Sequence, residues 1–186
     1  MTAKFQIPIR YLLLPLLLAI AIYVSYLFYY VGALKPVIIS EKKAGPFVVL
    51  YKEHVGPYHK IVPIIEAVEK WAKENSLDCH LTFGLYLDNP GEIEEGRLRS
   101  RGGCLLSETP QIPVPQDFQI QTIEPKDYVT AVFEGSPGIG PMKVYPKVAE
   151  YFSDRRLQQE NPVMEVYEIH SEQAMTTTYY FPIKRH

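Results

Sequence analysis

Fourteen tyrosines among 186 residues offer the most chemistry in this chain, because each joins an apolar ring to a hydroxyl that can donate or accept a hydrogen bond. Tyr86, Tyr167 and Tyr180 stand in β-like runs, and Tyr58 stands in a Gly/Pro turn. Gathered around one cavity, such rings would hold an aromatic or apolar small molecule, and their faces would attract a cation. Other constellations are weaker. Cys79-His80 with His54, His59 and His170 lacks H-x-x-x-H or C-x-x-C spacing, so no metal and no other cofactor is expected. Gly135-Ser136-Pro137-Gly138-Ile139-Gly140 follows a strand but lacks the P-loop lysine, and reads as a turn. The acidic stretch 91–96, followed by Arg97, Arg99 and Arg101, reads as a solvated hairpin. Cys104 opens one apolar strand and Cys79 precedes another, so both are structural. They fit one disulfide in an oxidising compartment or two buried thiols in a reducing one, the thiols being preferred.

The elements that must position these residues fall into two parts. From Tyr11 to Leu34 runs a stretch of 24 residues without a formal charge. As a helix it spans roughly 36 Å, against about 30 Å of bilayer hydrocarbon. Tyr11 at one end and Tyr26, Phe28, Tyr29 and Tyr30 at the other match interfacial aromatic belts. The competing reading is a signal peptide cleaved after Ala19-Ile20-Ala21, which would leave Ile22 to Leu34 as an apolar new N-terminus. The uncleaved single-pass anchor is therefore expected: flank 1–10, transmembrane helix 11–34, linker 35–44. Lys4 and Arg10 nearly balance Lys35, Lys42 and Lys43 across it, so the side of the globular part is undetermined. Residues 45–186 carry a net charge of −6, which is no footprint for nucleic acid.

Those 142 residues repeat a pattern at an offset of 81. Phe47-Val48 falls on Tyr128-Val129, Glu53 on Glu134, Trp71 on Phe152, and Phe83 to Tyr86 on Met164 to Tyr167. Each half reads strand, Gly/Pro turn, helix, strand, strand, over about 45–108 and 126–186. Ile61, Ile64, Ile65, Val68, Trp71 and Ala72 form the apolar stripe of the first helix; Val144, Val148, Phe152 and Leu157 form that of the second. An α+β domain of two β-α-β-β units about a pseudo-twofold follows, with a central groove between them. In the last strand Tyr179, Phe181 and Ile183 share one face and Thr178, Tyr180 and Pro182 the other. The bulkier set suits the helices, which assigns Thr178 and Tyr180 to the groove beside Tyr86 and Tyr167.

The turn His54-Val55-Gly56-Pro57-Tyr58, the strand Leu85-Tyr86-Leu87-Asp88-Asn89-Pro90, and the ending Met164-Glu165-Val166-Tyr167 followed by Thr178-Tyr179-Tyr180-Phe181-Pro182-Ile183 resemble the GyrI-like, SHS2-type effector-binding domain of bacterial transcription activators. The resemblance covers about 45–186. With the anchor, Tyr-x-Asp-Asn-Pro and the Leu105 to Glu108 strand, the chain is most similar within that superfamily to the animal reticulophagy-receptor family. It implies a duplicated β-α-β-β fold with a ligand groove. In drug-binding members a carboxylate in the last strand, in a Glu-x-Tyr-x-Pro pattern, pairs with cationic aromatic ligands. Here that position is Thr178, which lowers the expectation of cation preference and of a hydrolytic role.

The candidate ligand-binding residues are Tyr58, Tyr86, Tyr167, Thr178 and Tyr180, with no catalytic residue and no enzyme activity expected. The function expected is a membrane-anchored small-molecule-binding domain that captures an apolar or aromatic ligand. The alternative is an anchored adaptor that recruits a protein partner while its groove is filled by its own side chains.

Overall fold

Alternating strands and amphipathic stripes place the helices over one face of a single antiparallel sheet. The computed structural model describes residues 10–171 and 174–184. The uncharged run forms α1 (Arg10–Tyr30), whose Leu13–Tyr30 window has a mean hydropathy of 1.9 and no buried residue. By length and composition α1 is able to cross a membrane. Residues 35–44, expected to be a linker, instead contain β1 (Val37–Ala44). Val37 and Ile39 alternate towards a core around Val129, Ala131 and Phe133, and that burial recruits the segment into the sheet.

The order strand, helix, strand, strand then occurs twice. The first pass is β2 (Phe47–Val55), α2 (Val62–Glu74), β3 (Leu81–Tyr86) and β4 (Arg99–Leu106). After β5 (Gln119–Ile123) the second is β6 (Lys126–Glu134), α3 (Gly140–Asp154), β7 (Val163–Ser171) and β8 (Ala174–Pro182). The eight strands lie in the order β1-β6-β8-β7-β3-β4-β2-β5, so the two passes meet at the central pair β7·β3. Each leading strand crosses to the other pass: β1 pairs with β6, and β5 with β2. Register continues unbroken from Val37↔Phe133 through Ala44↔Lys126 to Phe47↔Ile123 and Tyr51↔Gln119. Residues 37–55 and 119–134 are thus one antiparallel ribbon, cornered where Pro46 and Pro125 supply no ladder donor.

Three apolar clusters fill the molecule. Val144, Val148 and Phe152 of α3 pack on Val129, Phe133, Tyr179 and Phe181. Val68 and Ala72 of α2 pack on Leu50, Cys79, Cys104 and Leu106. The third cluster lies on the sheet face away from the helices, where Val49, Tyr51, Phe83, Leu85, Met164 and Val166 come together. The cornered ribbon folds that face inwards, so both faces of the sheet are buried.

Cys79 and Cys104 are joined in a disulfide, their Cα atoms 5.4 Å apart, in place of the two thiols preferred from sequence. The bridge ties the segment after α2 to β4. Because it closes a loop of 25 residues, replacing both cysteines by serine should lower stability by about 3 kcal/mol, read by urea unfolding of the full chain in detergent. Reductant should cost the wild type the same amount and leave the double variant unchanged.

Candidate functional site

Alternation along the central strands lays three cross-strand rows on the helix-bearing face. Ser100, Tyr86 and Val163 make one; Gly102, Gly84, Glu165 and Tyr179 the next; Cys104, Thr82, Tyr167 and Thr177 the third. The middle row sets two residues without side chains beside a carboxylate at the centre of the sheet. A Cβ on Gly84 would come within 2.8 Å of the Tyr86 hydroxyl, and one on Gly102 within 2.8 Å of Ile65. The glycines thus admit the Tyr86 ring and α2 close to the sheet.

Glu165 is 5% exposed. Tyr145, on α3, donates its hydroxyl to Oε1 at 2.9 Å, and Tyr167 donates to Oε2 at 3.0 Å. The Tyr86 hydroxyl stands 2.9 Å from that of Tyr167 and donates to it, since the Tyr167 proton is committed to the carboxylate. The Tyr58 ring meets Tyr86 edge-on at 4.7 Å, and the Tyr145 ring lies edge-on to Tyr179 and Phe181 at 6.1 and 5.3 Å. Burial pushes the Glu165 carboxyl from 4.5 up to about 7, against the lowering effect of its two tyrosine donors. Burial, and then the adjacent carboxylate, raise Tyr86, Tyr145, Tyr167 and Tyr179, which keeps their hydroxyls protonated. Ser100 Oγ, also buried on this face, has no hydrogen-bond partner among the described residues, and the buried hydroxyl of Tyr179 is directed at that of Thr177 on the same strand. A buried acid surrounded by ring faces and a spare hydroxyl can pair with a cation and satisfy polar groups around it.

The five residues expected to line one groove divide between the two faces. Tyr86 and Tyr167 stand beside Glu165, and the Tyr58 ring packs on Tyr86. The Tyr58 hydroxyl itself is engaged in structure, donating to Asp88 O at 2.7 Å and accepting from Asp88 N at 3.0 Å. Asp88 in turn holds Arg99 through side chain and backbone, which closes the loop containing the acidic stretch. Thr178 and Tyr180 face the other way. Tyr180 packs edge-on against Phe47 at 5.3 Å and Tyr128 at 5.5 Å, with the Lys42 ammonium 5.5 Å from its ring centre. Tyr179 and Phe181 point to α3 as alternation demands; what differs is that the polar centre lies on the helix side. A cavity of about 30 Å³ lies on the far face, lined in part by Leu85, Tyr128, Met164 and Pro182. An open depression of about 300 Å³ lies along Glu41 to Lys43, Asp127, Leu157 and Ile183.

Glu165, Tyr145 and Tyr179 were not singled out from sequence. The signal for Glu165 is its place among Val163, Met164, Val166 and Tyr167, a charge inside the apolar first half of β7. Thr178 lies on the opposite face of the sheet from Glu165, so the two positions are not interchangeable.

The GyrI-like small molecule binding domain, as a family, matches residues 39–184. Solved structures share the fold at low identity. The C-terminal domain of EcmrR is 16% identical with a TM-score of 0.65, over 81% of this chain and 99% of that one. The EcmrR–DNA complex is 16% identical with a TM-score of 0.63, over 95% of this chain and 70% of that one. SAV2435 bound to tetraphenylphosphonium is 13% identical with a TM-score of 0.52, over 79% and 94%. No curated protein sequence matches the chain.

The raised Glu165 carboxyl makes stability depend on pH. Between about pH 4.5 and about 7 the folded state keeps a proton that the unfolded state releases, so stability should fall as pH rises through that window, by about 3 kcal/mol at most. In Glu165→Gln that decline should be absent, with stability gained at pH 8, as read by denaturant unfolding across the pH range.

Proposed function

Because the chain belongs to the GyrI-like small molecule binding domain family, we propose that it is a binding protein and not an enzyme, anchored by α1 and taking a lipophilic aromatic cation at Glu165. The observation that carries this reading is the carboxylate at the centre of the sheet, 5% exposed and held only by tyrosine hydroxyls. An empty site with its acid protonated contains no buried charge. A cation that displaces the proton gains the ion pair in a low-dielectric surround and about 0.5 to 2 kcal/mol from ring faces. Tetraphenylphosphonium, the ligand of SAV2435, belongs to this class and supports the choice.

Tyr145 acts as the lid. It is 37% exposed and reaches Glu165 from a helix rather than from the sheet. Its departure from Oε1 would open the carboxylate without disturbing a strand. The repeated strand, helix, strand, strand order and the 81-residue offset support descent from a duplication, with Gly84 the counterpart of Glu165. The Cys79–Cys104 bridge supports a domain on the oxidising side of the membrane. The adaptor alternative draws on one observation, that Tyr145 covers the carboxylate and fills the groove with the protein's own side chain.

Titrating tetraphenylphosphonium into the full chain in detergent by calorimetry separates the two. The cation should bind, with an affinity that rises between pH 5 and 8, by as much as about tenfold per unit below the Glu165 pKa. Glu165→Gln should weaken binding at pH 8 by about tenfold or more, since a neutral amide offers no ion pair. No binding at pH 8, or equal binding by Glu165→Gln, would favour the adaptor. After carbonate washing the full chain should stay in the membrane pellet, and a mature N-terminus near Ile22 would contradict the anchor.

A further inference from the structure

The end of α1 is fixed to the domain rather than tethered loosely to it. Lys143, in the first turn of α3, donates through Nζ to the carbonyls of Gly32, Ala33 and Lys35. These carbonyls follow the C-terminal end of α1, where a cation is favoured. Ser136 N donates to Val31 O at 3.0 Å, and Lys35 pairs with Glu134 at 3.4 Å. Gly32 has φ +76°, and a Cβ there would approach Glu134 O at 3.0 Å and Gly135 Cα at 3.1 Å. Helix end, turn and first turn of α3 therefore pack as one unit.

The same turn of α3 carries the cover of the site. Tyr145, whose hydroxyl holds Glu165, follows Lys143 by two residues, about 3 Å along the helix axis. Exposed aliphatic side chains gather at this end. Leu34 is 79% exposed at the end of the apolar segment and Met142 is 77% exposed beside Lys143. Ile169 is 59% exposed on β7, paired with Met175, whose carbonyl accepts from Gly135 N. Leu34, Met142 and Ile169 thus stand on segments that meet at the end of α1, and Met142 precedes Tyr145 by one helical turn on α3.

We propose that the Glu165 site opens towards the lipid interface and takes its ligand from the bilayer, so that its ligands are amphiphilic cations whose charged aromatic head enters the site while an aliphatic chain stays in lipid. This rests on the reading above of α1 as an anchor and of Glu165 as the cation site. With the domain held at a fixed height, every chain methylene left in the membrane strengthens binding measured from water, whereas a site fed from water would gain nothing from a chain longer than its cavity.

The experiment places the full chain in lipid nanodiscs and measures binding of methyl-, butyl- and decyl-triphenylphosphonium, with empty nanodiscs subtracted. The expected result is decyl binding at least about tenfold tighter than methyl. A flexible Gly/Ser linker of about twenty residues inserted between Tyr30 and Val31 frees the domain from the spanning helix and leaves the Lys143 contacts in place. It should keep methyl binding within about twofold and lose most of the decyl gain. Equal chain-length dependence in the two proteins, or no gain with chain length in either, would overturn membrane supply while leaving the cation site standing. If neither protein binds any of the three, or if Glu165→Gln binds them equally well, the cation-site reading falls and this inference with it.

Discussion

A carboxylate at the middle of a sheet that is covered on both faces sets the terms for everything around it. Taken out of water as an ion, Glu165 would cost several kcal/mol. The molecule meets that cost with donors that are themselves apolar rings, so that desolvation and hydrogen bonding come from the same side chains. Tyr145 and Tyr167 reach the two carboxylate oxygens, and Tyr86 supports Tyr167 from the neighbouring strand. The raised pKa follows, because two neutral donors do not restore what water would supply. A carboxyl raised to about 7 passes between its neutral and anionic forms near neutral pH.

The glycine opposite Glu165 belongs to the same constraint. Gly84 and Glu165 face each other across the central strand pair and are separated by 81 residues, which places them at matching points of the two strand, helix, strand, strand passes. A second carboxylate at that position would sit within a cross-strand contact of the first, and two buried like charges oppose one another. With glycine there, the Tyr86 ring can lie back across the strand. The two halves of the sheet thus contribute unlike parts to one centre: one supplies the charge, and the other the space.

Much of this was legible in residue order. The apolar stripes of α2 and α3 were read from three- and four-residue spacing, and alternation in β8 separated Tyr179 and Phe181 from Thr178 and Tyr180. Alternation, however, ranks faces by bulk and cannot say on which face a polar centre lies; that depends on which strands become neighbours. Glu165 gains its meaning from Tyr145, twenty residues away on a helix, and from Tyr86 on a strand of the other half. Likewise residues 35–44 look like a linker by charge, with Glu41, Lys42 and Lys43 together. Their strand state comes from pairing with β6, some ninety residues on. The cysteines show the same limit, since their pairing was one of two options until β4 and the segment after α2 were brought side by side.

The cornered ribbon formed by 37–55 and 119–134 bears on how the protein reaches its native state. Each half of the chain lends its leading strand to the sheet of the other, so neither half owns a complete hydrogen-bonded edge. A nascent chain that has left the ribosome only as far as β4 would present β1 without its partner and β2 with one side bare, a template for pairing with other chains. Closure waits for β5 and β6, and contacts so distant in sequence make for slow assembly. The domain therefore folds as an interlocked whole, in which the symmetry of the parts confers no independence on either of them.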